Sequence, residues 1–417
     1  MAPRGAARPT KRRAAGEGGI DRLSSGRWRA RYRGPDGRRH AGVFGTRSDA
    51  AAWLAAQGTD GRRGTWIDPR GARRTFSEWA QTWRGSTVHL KAKTRVSYES
   101  ILAKHVGPFF DRLPVGSIDQ PAVRRFLAEM AKSGSAPGTI RSARNVLRQV
   151  LGVAVGARAL AFNPCDGVKV PRSARQEMHF LTAEQVEKLA HAIAHPAPRR
   201  GGHGAAPHWR TEFPDLGLLV RFCAYTGLRA GEVEALRVRR LDLFHAKVEV
   251  AESVSEVRGI GLVFGPTKTY ESRSVPVPRF LCDELLTMVV GKDPDDFVFS
   301  APEGGPIRHG NFYARHFKRA VLEAGLPETL RFHDLRHTYV GFLIAEGAHP
   351  RAIMERMGHS SVTVTLDRYG HLLPVLEAQL DEALDRVGRA AKEQTFGSVG
   401  SRLGHANGGV LREDRGK

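Results

Sequence analysis

A chain of 417 residues is too long for one ordinary domain and suits two or three, and a hydrophobic content of 41% is enough for genuine cores rather than wholesale disorder. Its 65 Lys and Arg against 43 Asp and Glu leave a formal charge of +22. That excess points to a polyanionic partner, most often nucleic acid, although a genome that favours Arg, Ala and Gly would give a similar balance. Cys165, Cys223 and Cys282 are too scattered for a disulfide framework or a zinc site and fit a reducing compartment. No apolar run approaches the ~18 residues of a membrane span, and the basic start lacks the apolar segment of a secretory signal. The expectation is a soluble, cytoplasmic protein with no membrane partner and no metal.

Residues 1–18 carry Arg4, Arg8, Lys11, Arg12 and Arg13 among small residues and read as a disordered basic arm. From Gly26 the pattern becomes strict alternation. A strand sends alternate side chains to opposite faces, so Arg27, Arg29, Arg31 and Arg33 share one side, and Trp28, Ala30 and Tyr32 the other. Gly34 to Gly37 is a turn, and Arg39 to Phe44 returns as a second strand. Ser48 or Asp49 then caps a short helix over Ala50 to Ala56, whose Trp53 can cover the apolar side. Residues 19–62 are thus expected to form a small β-sheet plus helix module. Its cationic face has no interleaved acid, which favours phosphate or groove contact over a merely solvated surface. Gly58 to Arg74 reads as a linker.

Helical texture follows over 75–165. Thr75 with Glu78 makes a capping box before Trp79 and Trp83. Further helices are expected from about Lys93 to Val106, from Asp119 with Pro121 in its first turn to Gly134, and from Thr139 to Val155. Lys91, Lys93, Arg95, Arg141, Arg144 and Arg148 at their edges make this all-α domain basic and are candidate DNA contacts. Asn163-Pro164 and Val170-Pro171 mark a boundary. Residues 178–392 then form one larger, mainly α mixed α/β domain. In it Thr182 caps a helix, 195–213 is a loop-like insertion, and Leu216 to Leu236 is helical with a turn at Gly227. Val248 to Val277 alternates as two or three strands around Gly259 and Gly265. Near the end, Leu376, Leu380, Leu384 and Val387 form an apolar stripe. The Gly-rich stretch 393–417 reads as a disordered tail.

The chemistry sits in the larger domain. Exchange at a phosphodiester needs a nucleophile, cations for the non-bridging oxygens, an acid for the leaving oxygen, and something to orient the nucleophile. Without a metal, Arg is the natural clamp, because its planar fork reaches two phosphate oxygens. The segment 226–232 (TGLRAGE) places Arg229 at a Gly-punctuated turn, with Glu232 one helical turn on to orient it. The hairpin 265–278 (GPTKTYESRSVPVP) presents Lys268 near its tip. In 333–338 (HDLRHT), His333 and Arg336 share one face of a helix start. The segment 357–361 (MGHSS) supplies His359, and ten residues later stands Tyr369 in 365–371 (TLDRYGH). Taken singly these signals are weak. Arg229 could be part of a helix cap, Lys268 a solvated lysine, His333 and His337 a metal pair, and Tyr369 a core residue.

The ordered set resembles the tyrosine recombinases, the phage integrase family. The resemblance covers about 178 to 390 closely, and the helical domain more weakly as an all-α, SAM-like core-binding domain. The N-terminal module resembles an arm-binding domain. It implies that Tyr369 is a nucleophile forming a 3′-phosphotyrosine and that Arg229 and Arg336 clamp the scissile phosphate. Lys268 would protonate the leaving 5′ oxygen, His333 assist proton transfer at the tyrosine, His359 bond the phosphate, and Glu232 support the site. It further implies double-stranded DNA attachment sites as substrate, no cofactor, a homotetramer on DNA, and room for an excision accessory factor. A type IB topoisomerase and a catalytically silent DNA-binding regulator are the alternatives. The arm-like module disfavours the first, and the intact set of seven residues the second.

Overall fold

The computed structural model describes residues 18–172, 177–197, 212–267, 272–302, 304–358, 361–370 and 381–392. The chain divides into two compact units, 1–175 and 176–417. The expected tail, nearly all of the basic arm and most of the 195–213 insertion lie outside the described residues, as do Leu376 and Leu380.

In the first unit, β1 (Gly19–Arg22), β2 (Trp28–Arg33) and β3 (Arg39–Phe44) form an antiparallel sheet in that order. The alternation in β2 does what it promised: Ala30 and Tyr32 are buried while Arg31 and Arg33 are exposed. The strand β1 is an addition to the two expected, and it corrects the reading of the cationic face. Asp21 of β1 pairs in register with Arg29 and lies 2.7 Å from its guanidinium and 3.0 Å from that of Arg31. An acid is therefore interleaved after all. Two further arginines on this side reach backbone carbonyls, Arg27 that of Val43 and Arg33 that of Gly37.

The helix packed on this sheet, α1, spans Arg47–Arg63 and not Ala50–Ala56. Its N-cap is Thr46, whose hydroxyl accepts from the Asp49 N–H, so neither Ser48 nor Asp49 caps it. Trp53 lies edge-on to Tyr32 at 5.3 Å, as its spacing suggested. The helix continues through Gly58 and Gly61, each costing about 1 kcal/mol against Ala. Contact with the sheet offsets that cost: Gln57 accepts from the Tyr32 hydroxyl at 2.7 Å. The stretch up to Arg74 is likewise structured and not a linker. Trp66 is buried and donates to Tyr32, and a short helix α2 (Pro69–Arg73) accepts from Trp79 at the Gly71 carbonyl.

The helical part follows the sequence closely. The Thr75/Glu78 capping box opens α3 (Phe76–Ser86). Helix α4 (Ala92–Ile101) runs through a π-turn, Leu102–Val106, into α5 (Gly107–Phe110). Asp119 caps α6 (Gln120–Lys132), and α7 spans Pro137–Gly156. Phe76, Trp79, Trp83, Phe110, Phe126, Leu147 and Leu151 fill the core between them. Each such side chain contributes about 1.5–3 kcal/mol by leaving water.

In the second unit, α8 (Ala183–Ala194) starts at a Thr182/Gln185 capping box and packs on α9 (Pro214–Thr226), which is followed by α10 (Ala230–Val233). A sheet of β4 (Leu241–Asp242), β5 (Lys247–Val250) and β8 (Arg273–Pro276) has β5 in the middle. A separate hairpin joins β6 (Glu252–Val257) to β7 (Gly261–Pro266). Its turn holds Gly259 with φ of 80°, whereas Gly265, expected at a turn, is paired with Ser253 inside β7. Helices α11 (Arg279–Val289), α12 (His309–Phe312), α13 (Lys318–Glu323), α14 (Asp334–Ala345), α15 (Pro350–Met357) and α16 (Val362–Tyr369) complete the unit. Residues 381–392 are helical, with Leu384 and Val387 exposed. No helix among the described residues is long and apolar enough to cross a membrane.

Candidate active site

Two sharp turns build the site. Helix α9 stops at Gly227, whose φ of 67° suits glycine. A Cβ there would also stand 2.3 Å from the Tyr339 ring. Helix α15 stops in the same way at Gly358, with φ of 58°. These left-handed ends turn two backbone segments toward α14, which carries Arg336 in its first turn.

Arg336 is only 3% exposed, and its guanidinium donates to the carbonyls of Gly227 and Met357. It therefore fastens both turns to α14. Arg229 takes the N-cap position of α10, where Glu232 reaches back to accept from its backbone N–H at 3.0 Å and from its guanidinium at 2.8 Å. Arg229 also donates to the Gly358 carbonyl at 3.3 Å. Glu232 thus orients Arg229, as its spacing implied.

A third guanidinium was not foreseen. Arg273, the first residue of β8, makes a two-pronged pair with the same carboxylate at 3.0 and 2.6 Å. Burial alone would raise the Glu232 carboxyl, but hydrogen bonding and charge from Arg273, then Arg229, hold its pKa at about 2. Arg336 shows the opposite response. Its burial and the positive charges of Arg229 and Arg273 pull its pKa down to about 9, while Glu232 and Tyr369 act to raise it. Three cations around one carboxylate form a pocket with net positive charge, and an entering phosphate would relieve it.

Tyr369 ends α16 and is 1% exposed, packed with Tyr339, Val340, Ile353 and Met357. Its hydroxyl lies 2.7 Å from Nδ1 of His337, a residue weighed above only as half of a metal pair. The ring of His333, at the N-cap of α14, meets that of His337 edge to face at 5.0 Å, so His337 stands between His333 and the tyrosine hydroxyl in a chain of contacts. His337 sits one residue after Arg336 and four after His333. That helical spacing was the only signal available for it. Asp334, fully buried, is held by Arg331 at 2.7 Å and fixes the start of the helix that presents this group. Lys268 and His359 lie outside the described residues. Among the described residues, one group of three ligand-type side chains lies together, Asp36, His40 and Asp68, and it belongs to the N-terminal unit.

The candidate DNA-contacting residues are less uniform. Lys91, Lys93, Arg95 and Arg141 are exposed on the helical domain. Arg144 is half-buried and donates to the Cys165 carbonyl at 2.9 Å, so part of its guanidinium serves the fold.

The site thus holds a buried Arg336, a half-buried Arg229 oriented by Glu232, and a buried tyrosine whose charge Arg336 feels. Models for the phage integrase family match residues 179–374, its N-terminal domain residues 16–63 and its N-terminal SAM-like domain residues 75–131. The chain belongs to the phage integrase family. Phage integrases similar to it include the prophage phiRv2 integrase of Mycobacterium tuberculosis, 28% identical over 90% of this chain and 97% of that one. The ICEBs1 integrase of Bacillus subtilis is 26% identical over 68% of this chain and 75% of its own. Among solved structures, the Tn1549 transposon integrase in complex with transposon right end DNA shares the fold. It has a TM-score of 0.61 at 20% identity, over 76% of this chain and all of that one. The chain is a tyrosine-type site-specific DNA recombinase, and the multidomain architecture expected from the sequence is the one observed.

Proposed function

We propose that this recombinase integrates or excises a mobile element by cleaving one strand at a time through Tyr369. The Tyr369 oxygen attacks the scissile phosphorus, the bond from phosphorus to the 5′ oxygen breaks, and a 3′-phosphotyrosine forms. The hydroxyl proton passes to the His337–His333 side of α14, and Lys268 protonates the departing 5′ oxygen. Arg229 and Arg336 hold the non-bridging oxygens, with His359 as a further donor. Attack by an incoming 5′ hydroxyl reverses each step, so bond energy is kept and no cofactor is consumed. The observation that carries this reading is the pocket itself. Arg229 and Arg336 converge on the Gly227 and Gly358 turns, and Tyr369 lies within electrostatic range of Arg336.

Two duplexes exchanging strands need four cleavages, so the active form on attachment-site DNA is a homotetramer. The N-terminal module grips separate flanking sites, and an excision accessory factor would set direction. The relatives named as integrases of a prophage and of ICEBs1 support the mobile-element reading. The direct test is a nicked suicide substrate run on a denaturing gel. Wild type should give a covalent band and Tyr369→Phe none, with core-site binding retained. A band of equal strength from Tyr369→Phe would move the nucleophile elsewhere.

A further inference from the structure

The carboxylate of Glu232 has two oxygens, and four N–H groups converge on them. Oε1 accepts from Arg229 and Arg273 at 2.8 and 3.0 Å. Oε2 accepts from the Arg229 backbone and from Arg273 at 3.0 and 2.6 Å. With every lone pair engaged and its side chain 2% exposed, this carboxylate has a single geometry. Arg229 makes only one side-chain bond to it, which leaves guanidinium donors for a phosphate. Arg273 makes two, and its own side chain is only 13% exposed. The division of labour is unequal: one arginine is held, and the other does the holding.

The place of Arg273 in the chain gives this pairing a second consequence. It opens β8, five residues after Lys268, and β8 is anchored along β5 through Val250↔Arg273 to Lys247↔Pro276. The segment expected as one hairpin over 265–278 is split between two sheets, β7 pairing with β6 and β8 with β5, and the pair with Glu232 ties the strand that follows Lys268 in the chain to the turn that carries Arg229. Gly358 adds a third tie. A Cβ at that residue would come within 3.0 Å of Arg273 Cδ and 3.2 Å of its Nε, so glycine lets the α15 end close over the Arg273 stem.

On the reading of the site given above, we propose that Arg273 is a positioning residue for strand cleavage: from β8 it fixes the Glu232 carboxylate, and through it the Arg229 guanidinium, in the geometry the phosphate requires. Lysine cannot replace it fully, because a point charge lacks the planar fork that meets both oxygens.

The test measures first-order adduct formation on a saturating suicide substrate, with core-site binding measured separately. Arg273→Met should bind the core site within about threefold of wild type but form the adduct on the order of 10²-fold more slowly, as expected when a clamp is misplaced by about 1 Å. Arg273→Lys should recover part of the rate. Because Arg273 acts through Glu232, the double variant Arg273→Met with Glu232→Gln should be no slower than the slower single variant by more than about threefold. Losses that multiply would show an action independent of Glu232 and overturn the proposal. So would a wild-type rate in Arg273→Met. Should Arg273→Met fail to fold by circular dichroism, Arg273→Lys decides alone: slowed adduct formation with intact binding supports the proposal, and a wild-type rate sinks it. Absence of any adduct from the wild type would instead bring down the recombinase chemistry, a different failure from that of Arg273.

Discussion

Arginine is used in two physically different ways in this chain. In the pocket at the ends of α9 and α15, Arg336 is 3% exposed and Arg273 has a side chain 13% exposed, and each bonds to a buried partner. On the N-terminal sheet, Arg29 and Arg31 have side chains 37% and 53% exposed and share one acid, Asp21, itself half-exposed. The buried set is costly to assemble, yet once assembled it is rigid, barely screened, and cannot lose a member without leaving an unpaired charge. The exposed set contributes little to stability, is screened by salt, and can exchange Asp21 for a phosphate at small cost. One arrangement suits transition-state charge, the other a reversible grip on a duplex.

The largest expected effect comes from removing a clamp. Arg229→Ala and Arg336→Ala should each lower adduct formation by a factor on the order of 10³, since each removes donors aimed at developing charge. Supercoil relaxation and single-turnover cleavage would both report it. A loss below about tenfold in either variant would place the phosphate elsewhere.

Stability gives the next contrast. Glu232 has its folded pKa lowered from 4.5 to about 2, so its pairing stabilises fully above pH ~4.5 and is lost as pH falls toward 2. Glu232→Gln should be destabilised by about 3 kcal/mol at pH 7, with the gap to wild type shrinking in denaturant melts below pH ~4.5. A gap that stays constant from pH 7 to pH 3 would mean the charge is not what matters. On the exposed sheet Asp21→Asn should leave the denaturant midpoint almost unchanged at pH 7.

His337 is expected to act more gently. Replacing it by Asn removes the 2.7 Å partner of the Tyr369 hydroxyl and should slow cleavage by about 10- to 100-fold while leaving core binding intact. An unchanged rate would return the proton-transfer role to His333 alone.

The smallest effect tests the cationic face. Asp21→Asn frees Arg29 and Arg31, so binding at flanking sites should tighten a few-fold with no change at the core site. The double variant Arg29→Ala with Arg31→Ala should lower the salt slope of flanking-site binding by about 2, one counterion per lost phosphate contact. A salt slope untouched by either change would reduce the face to a solvated surface.

Much of the chemistry could be read from local spelling. Gly227 announces a turn, Thr75/Glu78 and Thr182 announce helix starts, and the tight grouping of Arg229 with Glu232 needs only one helical turn, whereas the matching turn at Gly358 was not anticipated. What escaped was set by contacts distant in sequence. Arg273 meets Glu232 across 41 residues and His337 meets Tyr369 across 32, and neither spacing carries a periodic signal. The strand β1 is four residues long and becomes a strand only by pairing with β2, which is why Asp21 was overlooked. Helix α1 runs past two glycines because packing on the sheet, with Trp53 against Tyr32 and Phe44 and Gln57 on the Tyr32 hydroxyl, overrides their propensity.

The most direct measurement is the identity of the covalently modified residue. The suicide-substrate adduct would be digested with nuclease and protease, and the nucleotide-bearing peptide sequenced by mass spectrometry. The account predicts a nucleotide attached through its 3′ phosphate to Tyr369 in the peptide that begins after Arg368. Attachment to any other side chain, or through a 5′ phosphate, would contradict it.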